Sequence, residues 1–248
     1  MATFILVHGS FHGGWCWEKV VHQLNEAGHK AFAPDLPGMG AARTPPQDIT
    51  LATTGVFIAE LAQRQPEKVI LVGHSLGGVA ISDAAERAPE GIAGLVYVTA
   101  ILLPNGASAM GLMGGKIPEG ISLSSDGAVF TIDLDYARER YYNGCEEDDA
   151  QDALARLAPQ PTRPLLDRLA ITSERFGTIR RAYVECLHDN ALPLGLQRSQ
   201  HEAMTCDPIL TMETGHSPFM QDPKGLSAHL ITAAEAFGPR HGPDQSVS

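Results

Sequence analysis

Val69-Ile70-Leu71-Val72-Gly73-His74-Ser75-Leu76-Gly77-Gly78 runs an apolar, β-branched strand straight into G-H-S-L-G, and Val79-Ala80-Ile81-Ser82-Asp83-Ala84-Ala85-Glu86-Arg87 behind it suits a helix. That is a nucleophile elbow. The tight strand-to-helix turn crowds any side chain around it, so Gly73 and Gly77 relieve contacts while Ser75 Oγ stands exposed above the sheet edge. The helix read from Leu76 to Arg87 then directs unpaired backbone N–H groups towards whatever Ser75 attacks. G-x-S-x-G alone is a weak motif, and its weight here comes from the strand before it and the helix after it.

Working outward, apolar runs of strand length alternate with helical stretches, the pattern of a parallel sheet covered on both faces. Six strands are expected: Phe4 to Val7, His29 to Ala33, Val69 to Val72, Gly94 to Val98, Arg180 to Cys186 and Ile209 to Glu213. Helices are expected over Trp15 to Glu26, Leu51 to Arg64, Leu76 to Arg87 and Leu226 to Phe237, the last with Asp222-Pro223 as N-cap and first-turn pair. From residue 104 to 177 the alternation stops, and Pro and Gly are scattered through a segment that turns helical. It reads as a helical cap inserted into an α/β core formed by residues 1–103 and 178–238. The run Glu146-Glu147-Asp148-Asp149 precedes a helical Ala/Leu/Arg pattern, so it reads as an acidic first turn facing the helix macrodipole rather than as a metal cluster. Residues 239–248 have no periodicity and are expected to form a disordered tail.

Composition sets bounds. At 248 residues, 44% of them hydrophobic, the chain is long enough for a large core and short enough for one domain. Eighteen Lys and Arg against 29 Asp and Glu give a net charge of −11, which disfavours nucleic acid and anionic membrane as partners. No basic, apolar leader and no membrane span is read, so a cytoplasmic address is the expectation. Cys16, Cys145, Cys186 and Cys206 form no C-x-x-C pair and have no His at zinc-ligand spacing, so reduced thiols and no metal are expected.

A serine hydroxyl needs a base to take its proton, and a histidine base needs a carboxylate to hold its tautomer. In α/β folds that present an elbow serine, the order is Ser, acid, His, with the acid and the base in loops at the C-terminal ends of strands. His216 lies in Thr214-Gly215-His216-Ser217-Pro218, just past the strand ending Met212-Glu213. Asp189 lies in His188-Asp189-Asn190, just past the strand ending at Cys186, whereas Asp207 precedes its strand. His188, His201 and His229 fit less well. An oxyanion needs preorganised donors. The N–H of Leu76, next after the serine, is one candidate, and that of Ser10, in His8-Gly9-Ser10-Phe11-His12-Gly13-Gly14 after the first strand, is the other. His8 also reads as a packed core histidine.

The stretches Phe4 to Trp17, Gly73 to Gly78, Tyr141-Tyr142-Asn143-Gly144-Cys145, Tyr183 to Pro193 and Gly215-His216 together resemble the α/β-hydrolases of the plant methylesterase and hydroxynitrile lyase group, with their bacterial esterase relatives. The resemblance implies an α/β-hydrolase fold with a mostly parallel six-stranded sheet, a helical cap, a Ser75–Asp189–His216 triad and no cofactor. It also poses a choice of chemistry. Lyases of the rubber-tree and cassava type carry Thr after the first-loop His and Lys after the triad His, where this chain has Gly9 and Ser217. Without that cation departing cyanide is not stabilised, and Gly9 leaves room for an acyl group, so hydrolysis of small methyl, aryl or short-chain esters is favoured. A carboxylate in place of Ser75 would mark epoxide hydrolase or dehalogenase chemistry. A lyase and a non-catalytic small-ligand receptor remain the alternatives, and a homodimer stays open. Gly9, His12, Leu102, Met110, Met113 and Phe130 are the candidate pocket residues, the apolar ones being equally readable as cap core, along with Leu103 and Leu112.

Overall fold

The computed structural model describes residues 1–41 and 44–238. Strands β1 (Thr3–Val7), β2 (Lys30–Phe32), β3 (Val69–Ser75), β4 (Ile92–Ala100), β8 (Arg181–Cys186) and β9 (Ile209–Met212) form one sheet in the order β2-β1-β3-β4-β8-β9. Every pairing is parallel. All six expected strands are present, with ends moved by one or a few residues, and the 239–248 tail falls outside the described residues.

The central strands are apolar throughout because both faces are covered. Side chains alternate across the sheet with period two. Ile5, Val7, Leu71, Leu95 and Tyr97 pack on one side, against α2 (Leu51–Gln63) and α3 (Gly77–Arg87). Phe4, Leu6, Ile70, Val72, Val96 and Val98 pack on the other, against α1 (Glu18–Glu26) and α10 (Pro223–Phe237). Asp222 caps α10 by accepting the Gly225 N–H at 2.8 Å, and a reciprocal Thr50/Thr53 capping box starts α2.

The segment from 104 to 177 is not purely helical, which corrects the expected cap. Besides α4 (Ala109–Leu112), α5 (Leu134–Tyr141), α6 (Glu147–Arg156) and α7 (Arg163–Leu166), it holds an antiparallel sheet of β5 (Ile121–Leu123), β6 (Val129–Ile132) and β7 (Gln160–Pro161). These strands have two to four residues each, too few for a period-two pattern to register. The acidic run supplies the first turn of α6. Two further helices, α8 (Leu194–Ala203) and α9 (Pro218–Gln221), lie outside the cap and follow the loops that carry Asp189 and His216. Among the described residues no helix is long and apolar enough to cross a membrane.

Helices α2 and α3 touch so closely that a Cβ on Gly55 would lie 1.8 Å from Asp83 Oδ2. Asp83 is nearly buried and pairs with Arg87 Nε at 2.6 Å. Gly55→Ala must therefore part the helices or displace that ion pair, and is expected to lower unfolding free energy by ~1–3 kcal/mol in urea titration. An unchanged midpoint would mean that the α2–α3 contact has slack.

Candidate active site

Ser75 ends β3 with φ at +51°, a left-handed backbone that few non-glycine residues adopt. The turn is closed by backbone against backbone. A Cβ on Gly73 would meet Gly77 O at 2.7 Å, one on Gly77 would meet Val7 O at 2.6 Å, and one on Gly78 would meet Ile101 O at 2.5 Å. No side chain fits at any of the three. The same holds for the loop after β1, because a Cβ on Gly9 would sit 2.8 Å from Ser75 Cβ. Gly9 thus does more than leave room for an acyl group: a larger residue there would push on the serine itself.

That approach brings two backbone donors to the serine's side. Helix α3 begins at Gly77, one residue later than expected, leaving Leu76 at its N-cap position. Among the described residues, neither the Leu76 N–H nor the Ser10 N–H has a protein acceptor. The neighbouring Phe11 N–H, by contrast, donates to Gln160 Oε1 at 3.2 Å.

Asp189 and His216, read from separate strand-end loops, meet. His216 Nδ1 donates to Asp189 Oδ2 at 2.7 Å, and both side chains are almost wholly buried. Asp189 Oδ1 accepts the N–H groups of Ala191 and Leu192 at 2.7 and 2.8 Å, and Thr99 Oγ1 donates to Oδ2. Gln197 on α8 staples the base of that loop: its amide accepts from Cys186 N–H and donates to the carbonyls of Cys186 and Leu192, all within 3.0 Å. Asp207, the rejected acid, is exposed ahead of β9. Next to the serine in sequence, His74 donates through Nε2 to His216 O at 2.7 Å, and the two rings stand 4.6 Å apart. This bond ties the elbow to the histidine loop, and nothing in the sequence pattern revealed it.

His8 and His12 are tied into the fold. His8 donates from Nδ1 to Gly9 O at 2.9 Å and accepts the Leu36 N–H at Nε2. His12, read as a pocket residue, is instead sealed in the core, donating to Ser10 O at 2.7 Å and accepting from the Tyr142 hydroxyl at 2.8 Å. It holds the Ser10 loop to the cap. Burial pushes the His8 pKa down to about 4 and that of His12 to about 3, and holds His74 well below the ordinary range.

A narrow apolar cavity of about 20 Å³ opens beside Gly9, Leu76 and Gly77, walled by Leu36, Met39, Ile49, Leu51 and Ala80. Of the expected pocket residues only Gly9 borders it. Leu102, Met110 and Phe130 are packed into the main core, as is Leu103, while Met113 is 38% exposed on the surface. Apolar periodicity does not tell which cap residues face a cavity and which face core. Tyr141, quoted only within the resemblance, turns out to lie over the site, its ring 5.2 Å from that of His216 and 6.3 Å from that of Phe11.

Residues 4–229 match the Alpha/beta hydrolase family, and the chain belongs to it. It is 32% identical to methyl jasmonate esterase 1 of Vitis vinifera over 94% of this chain and 97% of that one. It is 31% identical to a putative chloroplastic methylesterase 11 of Arabidopsis thaliana over 93% of its own length, but spans only 63% of that relative. Among solved structures, a pyrethroid hydrolase from Sphingobium faniae superposes with a TM-score of 0.84 at 26% identity, covering 95% of this chain and 98% of that one. Polyneuridine aldehyde esterase superposes with a TM-score of 0.85 at 25% identity, covering 94% and 99%.

The neutral, buried histidines make stability depend on pH. An unfolded chain binds protons on His8, His12 and His74 below pH 6.5, while the folded chain cannot bind them on His8 until about pH 4 or on His12 until about pH 3. Their contribution is thus unopposed above pH 6.5 and declines as the pH falls below it, by up to about 1.4 kcal/mol per pH unit per histidine. Urea titrations from pH 7.5 to 5 should show this decline, and His12→Gln should make it shallower. Equal slopes in the two proteins would show that His12 titrates freely in the fold.

Proposed function

We propose that this chain is a carboxylic ester hydrolase that works through a serine acyl-enzyme. The carrying observations are the buried Asp189–His216 hydrogen bond and a serine held in a strained elbow at the end of β3, the elbow being tied to the His216 loop through His74. With Nδ1 donating to Asp189, the His216 Nε2 lone pair is the one available to Ser75. In this reading Ser75 Oγ attacks the ester carbonyl as its proton passes to His216 Nε2. The N–H groups of Ser10 and Leu76 bind the oxyanion. The tetrahedral adduct then collapses, the leaving alcohol takes the proton from His216, and water repeats the sequence on the acyl-serine. No step requires a cofactor.

The names of the relatives support small carboxylic esters as the substrate class. The apolar walls beside Gly9 and Leu76 support an uncharged apolar group on the carbonyl side. Ser217 supports hydrolysis over cyanohydrin cleavage. It is fully buried, and its hydroxyl is already donated to Tyr141 O at 2.7 Å, so it offers neither charge nor a spare donor to a departing cyanide.

Ser75→Ala should keep the fold and cut turnover of a chromogenic short-chain ester by ~10³-fold or more, since only oxyanion binding and positioning remain. An organophosphonate should label Ser75 stoichiometrically. Full activity in the alanine variant would refute the reading, negligible turnover by the native chain would favour a receptor, and efficient cyanide release from mandelonitrile would favour a lyase. Asp189→Asn should cost ~10²–10⁴-fold by leaving the imidazole in the wrong tautomer, while Asp207→Asn should be mild. A reversal of those two results would displace Asp189 as the acid.

A further inference from the structure

From Ile70 opposite Gly94 the pairing of β3 with β4 runs in step as far as His74 opposite Val98, and then Ser75 falls opposite Ala100. Thr99 is the extra residue, a bulge beside the nucleophile. Its φ is +36°, in the left-handed region where a β-branched side chain is disfavoured most, and it is wholly buried. Strain of this kind persists only where the surroundings hold it. Here they do so from both sides: Ile101 N–H donates to Ser75 O at 2.9 Å, and the Tyr183 hydroxyl donates to Ala100 O at 2.8 Å.

The bulge changes where one side chain points. Thr99 Oγ1 donates to Asp189 Oδ2, the same oxygen that accepts His216 Nδ1–H, while the Ala191 and Leu192 N–H groups occupy Oδ1. The main-chain donors alone would hold the carboxylate by one oxygen and leave it free to swing about that anchor. Thr99 fixes the second oxygen, and with it the plane in which the imidazole is held. Nothing else at residue 99 explains its conformation, since glycine would take the same φ without strain.

We propose that Thr99 is a positioning residue: the strained bulge is kept because it delivers a hydroxyl to the Asp189 oxygen that orients His216, coupling the elbow strand to the acid. This rests on the reading of Ser75, Asp189 and His216 as the acting residues. Loss of the hydroxyl should affect the chemical step and leave ester binding alone, because Thr99 touches Asp189 and not the substrate.

The test compares Thr99→Val, which keeps the shape and loses the hydroxyl, with Thr99→Ser, which keeps the hydroxyl. Thr99→Gly, which accepts the positive φ, serves as a second hydroxyl-free variant should the valine protein fail to fold. With a short-chain ester, Val and Gly should lower kcat by ~10–100-fold with KM within about twofold, while Ser stays within a fewfold of the native chain. The downfield proton resonance of the His216–Asp189 bond should shift or broaden in the Val and Gly variants and persist in Ser. In an Asp189→Asn background, Thr99→Val should cost little more, because the carboxylate it positions is gone. If Val and Gly both turn over at the native rate while Asp189→Asn is crippled, the role of Thr99 is overturned and the triad reading stands. If Asp189→Asn is itself fully active, the underlying reading fails first. A fall shared equally by Ser, Val and Gly would also overturn the proposal, because it would follow the changed packing rather than the hydroxyl.

Discussion

Everything at this site depends on how closely three pieces of backbone approach one another at the C-terminal ends of β1, β3 and β4. Gly77 lies against the carbonyls of Val7 and His8, Gly78 against Ile101 O, and Gly9 against Ser75 Cβ, each nearer than a methyl group allows. In a parallel sheet the strand-end N–H groups and carbonyls have no further ladder to join, and that is where ligand chemistry gathers in open α/β sheets. The glycines bring these groups together. They let the β1 loop lie on the elbow, which leaves the Ser10 and Leu76 donors unspent beside Ser75. A side chain at any of these positions would separate the donors from Ser75 before it disturbed the hydrophobic core.

Close backbone contact does not by itself keep loops in place, and the buried polar groups supply the remaining constraint. His8 clasps the Leu36 turn, His12 joins the Ser10 carbonyl to Tyr142 of the cap, and His74 joins the elbow to the His216 loop. In a low-dielectric interior each of these bonds is strong only if both partners are satisfied. Most are, although His74 Nδ1 has no partner. A buried Glu185 works in the same way beneath the acid loop, accepting from Arg198 Nε at 3.1 Å and pairing with His201 Nε2 at 2.8 Å, which anchors α8 and with it Gln197. The loops around Ser75, Asp189 and His216 are thus held by buried polar side chains other than those three.

What the sequence disclosed follows from this division. Strands buried on both faces announce themselves as apolar runs, and an elbow has a fixed spacing, so the sheet and Ser75 were legible. That Asp189 and His216 would meet was legible because each stands in a loop just past a strand end. The small cap sheet was not, since β5, β6 and β7 are too short to show a period and are partly exposed. Helix α8 was not among the expected helices: Pro193 and Gly195 are poor helix residues, yet the chain enters a helix at Leu194. Pocket residues were the least legible. Leu102, Met110 and Phe130 have the composition of a pocket wall and of a core alike, and only the packing around them separates the two. His12 was misread for a related reason: a polar side chain near a nucleophile looks functional until both of its nitrogens are found occupied.

The same burial that hides these histidines from sequence reading also simplifies the electrostatics around the elbow. Desolvation disfavours the charged imidazolium at His8, His12 and His74, and at His12 and His74 the neighbouring histidines add to that penalty. Of the four rings clustered here, His216 alone hydrogen-bonds a carboxylate. In the proposed reaction, a proton leaving Ser75 would find three imidazoles whose surroundings oppose a positive charge, and His216 beside the Asp189 carboxylate. On that reading, the choice of His216 as base arises both from its carboxylate partner and from neighbours that cannot compete. The acid's own environment must then be exact in its geometry, because no second histidine stands ready to take the proton if the Asp189 carboxylate turns away.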